Sequence, residues 1–189
     1  MKGRLICLGV TGAIAAYKAA YLVSSLSKKG ADVQVIMTAS ALRFVGELTF
    51  ETLSHRPVIT ELWSRSAEWD PQHVDLARKA SAVVVAPATA NIIAKAANGI
   101  ADDALSTALL TLWKLPTFYA PAMNTRMWEN PATISNVQTL RERGVQFIGP
   151  DSGLLACRDE DGPGRMAEPQ QIVSTLENWF AKNPGHPGK

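Results

Sequence analysis

The stretch Leu5-Ile6-Cys7-Leu8-Gly9-Val10-Thr11-Gly12-Ala13 joins an uninterrupted apolar run to a turn of small residues, and a helical period begins directly behind it. Ile14, Tyr17, Leu22, Val23 and Leu26 recur at helical spacing and predict one apolar face; Lys28-Lys29-Gly30 ends it, with cations in the last turn and glycine just past it. The same order of apolar run, small turn and helical period returns further along. Strands are expected over residues 5–9, 33–38, 82–86 and 117–120, with a fifth near 146–149. Strands that are apolar throughout, instead of alternating, belong to a parallel sheet covered on both sides. With right-handed crossovers, the expected architecture is an α/β, doubly wound parallel sheet with helices on both faces, a Rossmann-like layout. Asp70-Pro71 and Asn130-Pro131 each put a good N-cap ahead of the residue best tolerated at the first helical position, so helices should start there. Residues 170–180 read as a closing amphipathic helix. Residues 1–182 form one expected domain, and the Pro/Gly-rich 183–189 an expected disordered tail.

Composition narrows the function classes. The 189 residues carry 19 basic and 17 acidic side chains, a formal net charge of +2, and 47% are apolar. A chain of this size buries roughly 70% of the surface it exposes when unfolded, so it needs no staples; disordered, collagen-like and disulfide-scaffold classes are excluded. The cysteines are Cys7, inside the first apolar run and read as core, and Cys157, beside a glycine-rich charged segment. Two distant thiols suit a reducing compartment. The first apolar run passes into Thr11-Gly12 and not into a cleavage site, and the weakly charged stretch 80–100 is broken by Pro87, Asn91 and Lys95. A cytoplasmic protein with no membrane partner is expected. Basic side chains are dispersed among acids, with no cationic stripe and no aromatic platform, so no nucleic-acid partner is expected either.

In a parallel sheet of this kind, ligands bind outside the carboxyl ends of the strands, where helix N-termini offer N–H groups to anions. Those ends read Gly9-Val10-Thr11-Gly12-Ala13, Thr38-Ala39-Ser40-Ala41, Pro87-Ala88-Thr89-Ala90-Asn91 and Pro121-Ala122-Met123-Asn124. Small side chains let a ligand approach the backbone, and Thr11, Ser40 and Thr89 could bond a phosphate, which suggests a phosphorylated cofactor. The same hydroxyls serve equally as helix caps. The first turn is neither a spaced-glycine dinucleotide loop nor a Walker loop. His73 falls in the opening turn of its helix, where the dipole favours neutral imidazole. Cys157, mostly thiol at neutral pH, could donate a proton, whereas a metal role would need more ligands than the chain offers. His55 and His186 carry no signal, and Asn124 and Met127 could pack or cap as easily as bind.

Four segments together carry a resemblance. They are GVTGAIAAYK at 9–18, HVDL at 73–76, PAMNTRMW at 121–128, and Leu155-Ala156-Cys157 followed by Gly162-Pro163-Gly164-Arg165-Met166. In this order they resemble the homo-oligomeric flavin-containing cysteine decarboxylases over nearly the whole chain, from about Leu5 to Phe180. The resemblance implies FMN bound at the strand ends by Thr11, Gly12, Ala13, Ile14, Thr38, Ser40, Thr89, Ala90, Asn91 and Ala122. It implies His73 as base or orienting group, Cys157 as proton donor, and Asn124 as the clasp on the substrate. Met127, Arg165 and a flap containing Leu154, Leu155 and Ala156 would complete the substrate site. The flavin would lie between subunits of a homotrimer or an assembly of trimers, with no metal.

The implied substrate is a phosphorylated cysteine-containing small molecule, 4'-phosphopantothenoylcysteine, decarboxylated to 4'-phosphopantetheine in coenzyme A biosynthesis. Loss of CO2 from a cysteine carboxylate needs an electron sink, supplied when the side chain is oxidised to a thioaldehyde; the enethiolate left after CO2 departs is then reduced and protonated. Two other readings stand beside this one. Arg158-Asp159-Glu160-Asp161 replaces the shorter glycine step usual in the family, and three acids would repel a phosphorylated substrate unless Arg158 and Arg165 face its phosphate, which keeps open oxidative decarboxylation of a C-terminal peptidyl-cysteine to an enethiol. A non-catalytic flavin-binding regulatory subunit is the alternative of another class. Many bacterial members continue into a synthetase, so the chain is expected to be either a stand-alone enzyme or a piece of a longer protein.

Overall fold

All six residues of β1 (Leu5–Val10) are buried, the signature of a strand covered on both faces. The computed structural model describes residues 1–62, 72–154 and 161–184. Within them β1 leads through a small-residue turn to α1 (Ala16–Lys28), then β2 (Asp32–Met37), a short 3-10 turn over Ala41–Arg43, and α2 (Glu47–Ser54). After α3 (Gln72–Lys79) come β3 (Ala80–Ala88), α4 (Ala90–Asn98), α5 (Ala104–Thr111) and β4 (Thr117–Pro121). The chain closes with α6 (Thr125–Trp128), α7 (Pro131–Glu142), β5 (Gln146–Phe147), a hairpin of β6 (Asp151–Leu154) and β7 (Asp161–Arg165), and α8 (Pro169–Lys182).

Five strands form one parallel sheet in the order β2-β1-β3-β4-β5. The doubly wound expectation holds, and the order reverses between β1 and β3, which opens a crevice above their carboxyl ends. Alternation along β1 divides the core. Ile6, Leu8 and Val10 pack with α1, α2 and α8, whereas Leu5 and Cys7 pack with residues of α3, α4, α5 and α7. At Gly9 a Cβ would lie 2.5 Å from Leu105 Cδ1, so a larger residue there would force the Leu105 side chain of α5 to shift. Cys7 is core as expected, and burial pushes its thiol pKa up to about 12. The Asn130 side chain accepts from Ala132 N at 2.9 Å, so α7 starts at the expected cap and proline. The corresponding Asp70-Pro71 cap and residues 185–189 of the expected disordered tail lie outside the described residues. No described helix is long and apolar enough to cross a membrane.

The face expected for α1 needs correction. Leu22, Val23 and Leu26 are fully buried, together with Ala16 and Ala19. Ile14 and Tyr17 are 61% and 52% exposed. Ile14 precedes the helix, and Tyr17 lies about 140° around it from Leu22, on a second stripe with the exposed Tyr21. Alanines bring the helix close to the sheet, and the aromatic stripe is turned away from the core. The β6–β7 hairpin, outside the parallel sheet, was not foreseen.

One side chain ties the ends of β1 and β3 together across the crevice. The fully buried Thr11 hydroxyl donates to Pro87 O at 2.7 Å and accepts from Thr89 N at 3.2 Å. Replacing Thr11 with Val keeps the shape and leaves both backbone partners without it. Loss of about 1–3 kcal/mol in urea unfolding is expected, with weaker retention of the FMN that the resemblance implies.

Candidate functional site

Above the β1–β3 crevice lies a cavity of about 980 Å³, at the upper end of the usual size for small-molecule sites. All ten residues expected to face FMN line it: Thr11, Gly12, Ala13, Ile14, Thr38, Ser40, Thr89, Ala90, Asn91 and Ala122. Asn124, Met127 and Arg165 line it too. The fold explains the convergence, because each strand end delivers its turn to the same side of the sheet. Two turns touch directly. A Cβ on Gly12 would collide with Ser40 Cβ and come within 3.0 Å of the Ser40 carbonyl carbon, so only glycine fits where the β1 turn passes the β2 turn.

The hydroxyls expected to bind phosphate have different duties. Thr11 has committed its proton to Pro87 O, so its part is to hold the cradle's two strand ends and not to donate to an anion. Thr89 is the N-cap of α4: its Oγ1 accepts from Ile92 N at 3.5 Å, and its own proton is left to donate elsewhere. Thr38 Oγ1 accepts from Ala41 N at 3.3 Å and shapes the turn that carries the exposed Ser40. The first-turn N–H groups of α4, on Ala90 and Asn91, have no intrahelical acceptor and stand at the cavity wall. A neutral cradle of amides and hydroxyls with a helix dipole behind it fits a phosphate monoester.

Asn124 is the N-cap of α6, and its Oδ1 accepts from Arg126 N at 2.8 Å. That bond fixes which end of the amide does what: the oxygen holds the helix start, and Nδ2, a pure donor, is the atom suited to a carboxylate. Ile14, Tyr17, Phe44 and Met127 give the cavity exposed apolar margins. His73 is the second residue of α3, in the expected opening turn, but its side chain is outside what is described. Leu154 ends β6, and Leu155, Ala156 and Cys157 lie outside the described residues.

Three charged lining residues were missed in the sequence. Lys95 falls four positions after the expected site residue Asn91 within α4, so helical spacing alone would have put it on the ligand side, whereas Ile14 precedes α1 and gives no such signal for Lys18. Asp103 caps α5, with Ser106 N donating to its Oδ1 at 2.7 Å, and Asp-x-x-Ser was the available signal. Lys95 Nζ lies 2.5 Å from Asp102 Oδ1 and 2.7 Å from Asp103 Oδ2. Burial raises the Asp103 carboxyl, but the Lys95 ammonium and the Ser106 donors outweigh it and leave the pKa below its usual value. Partial burial likewise opposes charge on Lys95, and the two carboxylates hold its pKa above normal. A depressed acid contributes stability that is present above its unfolded pKa near 3.8 and is lost as pH falls through the folded value. Asp103→Asn should therefore lower stability at neutral pH and flatten the loss of stability below about pH 4 in acid unfolding followed by circular dichroism.

The family model described as Flavoprotein matches residues 1–181. The Coenzyme A biosynthesis bifunctional protein CoaBC of Vibrio vulnificus (strain YJ016) is 44% identical over 184 residues, covering 97% of this chain and 45% of that protein. The chain thus spans about half the length of the curated relatives it matches. Among solved structures, a mutant PPC decarboxylase complexed with pantothenoylaminoethenethiol superposes with a TM-score of 0.83 at 32% identity, covering 96% of this chain and 100% of the other. The FMN-dependent cysteine decarboxylase SpaF gives 0.81 at 33% identity, with 94% and 97% covered. With a match that runs from the first residue through β1, the whole cavity and nearly all of α8, this chain belongs to the flavoprotein family.

Proposed function

We propose that this chain carries out the FMN-dependent decarboxylation of 4'-phosphopantothenoylcysteine to 4'-phosphopantetheine in coenzyme A biosynthesis. The observation that carries the reading is that the neutral phosphate cradle and Asn124 line one and the same cavity. A CoaBC relative and a PPC decarboxylase structure, similar over nearly this whole chain, point to the same chemistry. Thr89, Ala90, Asn91 and Ser40 would hold the FMN phosphate, with Thr11 and Gly12 keeping that wall in shape. Bound FMN would supply a reversible two-electron acceptor for the cysteine side chain.

The residues then have separable tasks. Asn124 Nδ2 holds the carboxylate that leaves, and its Oδ1 bond to Arg126 N keeps that donor from turning away. His73 takes or orients the thiol proton; a helix N-terminus holds imidazole neutral and ready to accept one. Cys157 returns a proton to carbon, so that the net change is exchange of CO2 for H⁺ without net oxidation. Ile14, Tyr17 and Phe44 at the cavity margin, with the exposed Tyr21 and Leu48, support a working homotrimer, or assembly of trimers, that shields it. A cytoplasmic setting suits this metabolism.

Anaerobic incubation of the FMN-loaded protein with 4'-phosphopantothenoylcysteine, followed by product mass and flavin absorbance, tests the proposal. The 4'-phosphopantetheine mass with flavin oxidised at the end is expected. An enethiol mass with flavin left bleached would move the protein to peptidyl-cysteine chemistry, and bound FMN without reaction would indicate a regulatory subunit. His73→Asn should abolish substrate-driven bleaching with FMN retained, and Cys157→Ser should release CO2 but stop at the enethiol. Asn124→Asp keeps an N-cap acceptor but sets like charge against the carboxylate, so kcat/KM should fall by about 10²-fold or more in steady-state assays while FMN content is unchanged.

A further inference from the structure

Lys18 of α1 and Arg165, the last residue of β7, reach the same cavity from two elements far apart in the chain. They share one carboxylate oxygen. Glu168 Oε1 lies 2.6 Å from Lys18 Nζ and 3.6 Å from Arg165 Nη2. The Lys18 side chain is only 13% exposed, and its Nζ also donates to Met166 O at 3.4 Å. The Glu168 side chain is 52% exposed and does not line the cavity. Although Glu168 is the N-cap residue of α8, its side chain makes no cap hydrogen bond, so the helix does not require that carboxylate. Arg165 is seated as well: a Cβ on Gly153 would come within 3.0 Å of Arg165 Nη1 and 3.5 Å of its Cδ, so the arginine lies across the glycine of the facing strand β6.

We propose that Lys18 and Arg165 are the receptor for the phosphate of the substrate, and that Glu168 is a built-in competitor that keeps the two cations aligned and gives way when the phosphate arrives. This rests on the decarboxylase reading above. Two cations converging on one cavity need a counter-charge while the site waits, and a half-exposed carboxylate supplies it weakly because water screens the pair. A phosphate monoester brings close to two charges and three acceptor oxygens against one charge and two, and the arginine fork engages it with two parallel bonds. It therefore displaces the carboxylate. The neutral cradle of α4 and Ser40 is left to the cofactor, and the cationic pair selects the substrate.

The test compares kcat/KM for 4'-phosphopantothenoylcysteine and for the same compound without phosphate, using the FMN-loaded protein and its Glu168→Gln, Lys18→Gln and Arg165→Gln variants. Calorimetric titration with inorganic phosphate gives a readout independent of turnover, and FMN absorbance with circular dichroism confirms that each variant is folded. Glu168→Gln should raise the preference for the phosphorylated compound about two- to fivefold and tighten phosphate binding. Lys18→Gln and Arg165→Gln should lower that preference about tenfold or more, with Lys18→Arg restoring much of it. Opposite signs are the signature of a competitor. A fall in preference for all three variants would show that Glu168 is a structural clasp, and an unchanged preference would remove the cations from phosphate binding; either result overturns the inference. Should Lys18→Gln fail to fold, the Glu168→Gln and Arg165→Gln pair decides. Failure of the unaltered protein to decarboxylate either compound would instead bring down the reading on which the inference rests.

Discussion

The Thr11 hydroxyl, held between Pro87 O and Thr89 N, is the contact on which the site depends. It spans the one place in the sheet where the strand order turns back, between β1 and β3. Parallel neighbours there send their following helices to opposite faces, so the strand ends diverge and leave a crevice. Such a crevice needs something to fix its width, and here a single buried side chain does so with a donor and an acceptor in use. The turn after β1, the cap of α4 and the cavity between them all take their positions from that bridge.

Around the bridge the polar groups divide by charge. The wall formed by the α4 N-terminus, Thr89 and Ser40 is neutral and relies on oriented amides and hydroxyls. Cations stand elsewhere: Lys95 is compensated by Asp102 and Asp103, and Lys18 and Arg165 converge on Glu168. On the proposed reading, a cavity that holds a phosphorylated cofactor while admitting and releasing a phosphorylated substrate would benefit from this separation. Fixed dipoles would bind one phosphate by shape, and on our proposal the charged pair would exchange the other.

Packing explains why several apolar side chains are not in the core. Ala16 and Ala19 carry α1 against the sheet; Tyr17 is left at the cavity margin with Ile14 and Phe44, and Tyr21 and Leu48 are exposed as well. Helical spacing predicts that such residues share faces but not which face meets the sheet. That choice is made by volume: alanines allow close approach, and a tyrosine in their place would not.

The sequence by itself determined the parallel sheet, the start of α7 at Asn130-Pro131 and the turns that line the cavity. Each of these rests on local physics: an unbroken apolar strand, a cap before a proline, a small residue where backbone must pass backbone. The family resemblance, and not local pattern, pointed to Asn124, whose N-cap role and cavity position coincide. Only the tertiary structure decided which hydroxyls keep a proton to donate, because Thr11 and Pro87 are 76 positions apart and their bond exists only once β1 and β3 are neighbours. The same holds for Lys18 and Glu168, separated by 150 positions. Local pattern carries no record of partners that distant, and the chemistry of this cavity is settled by which of its charges and protons already have one.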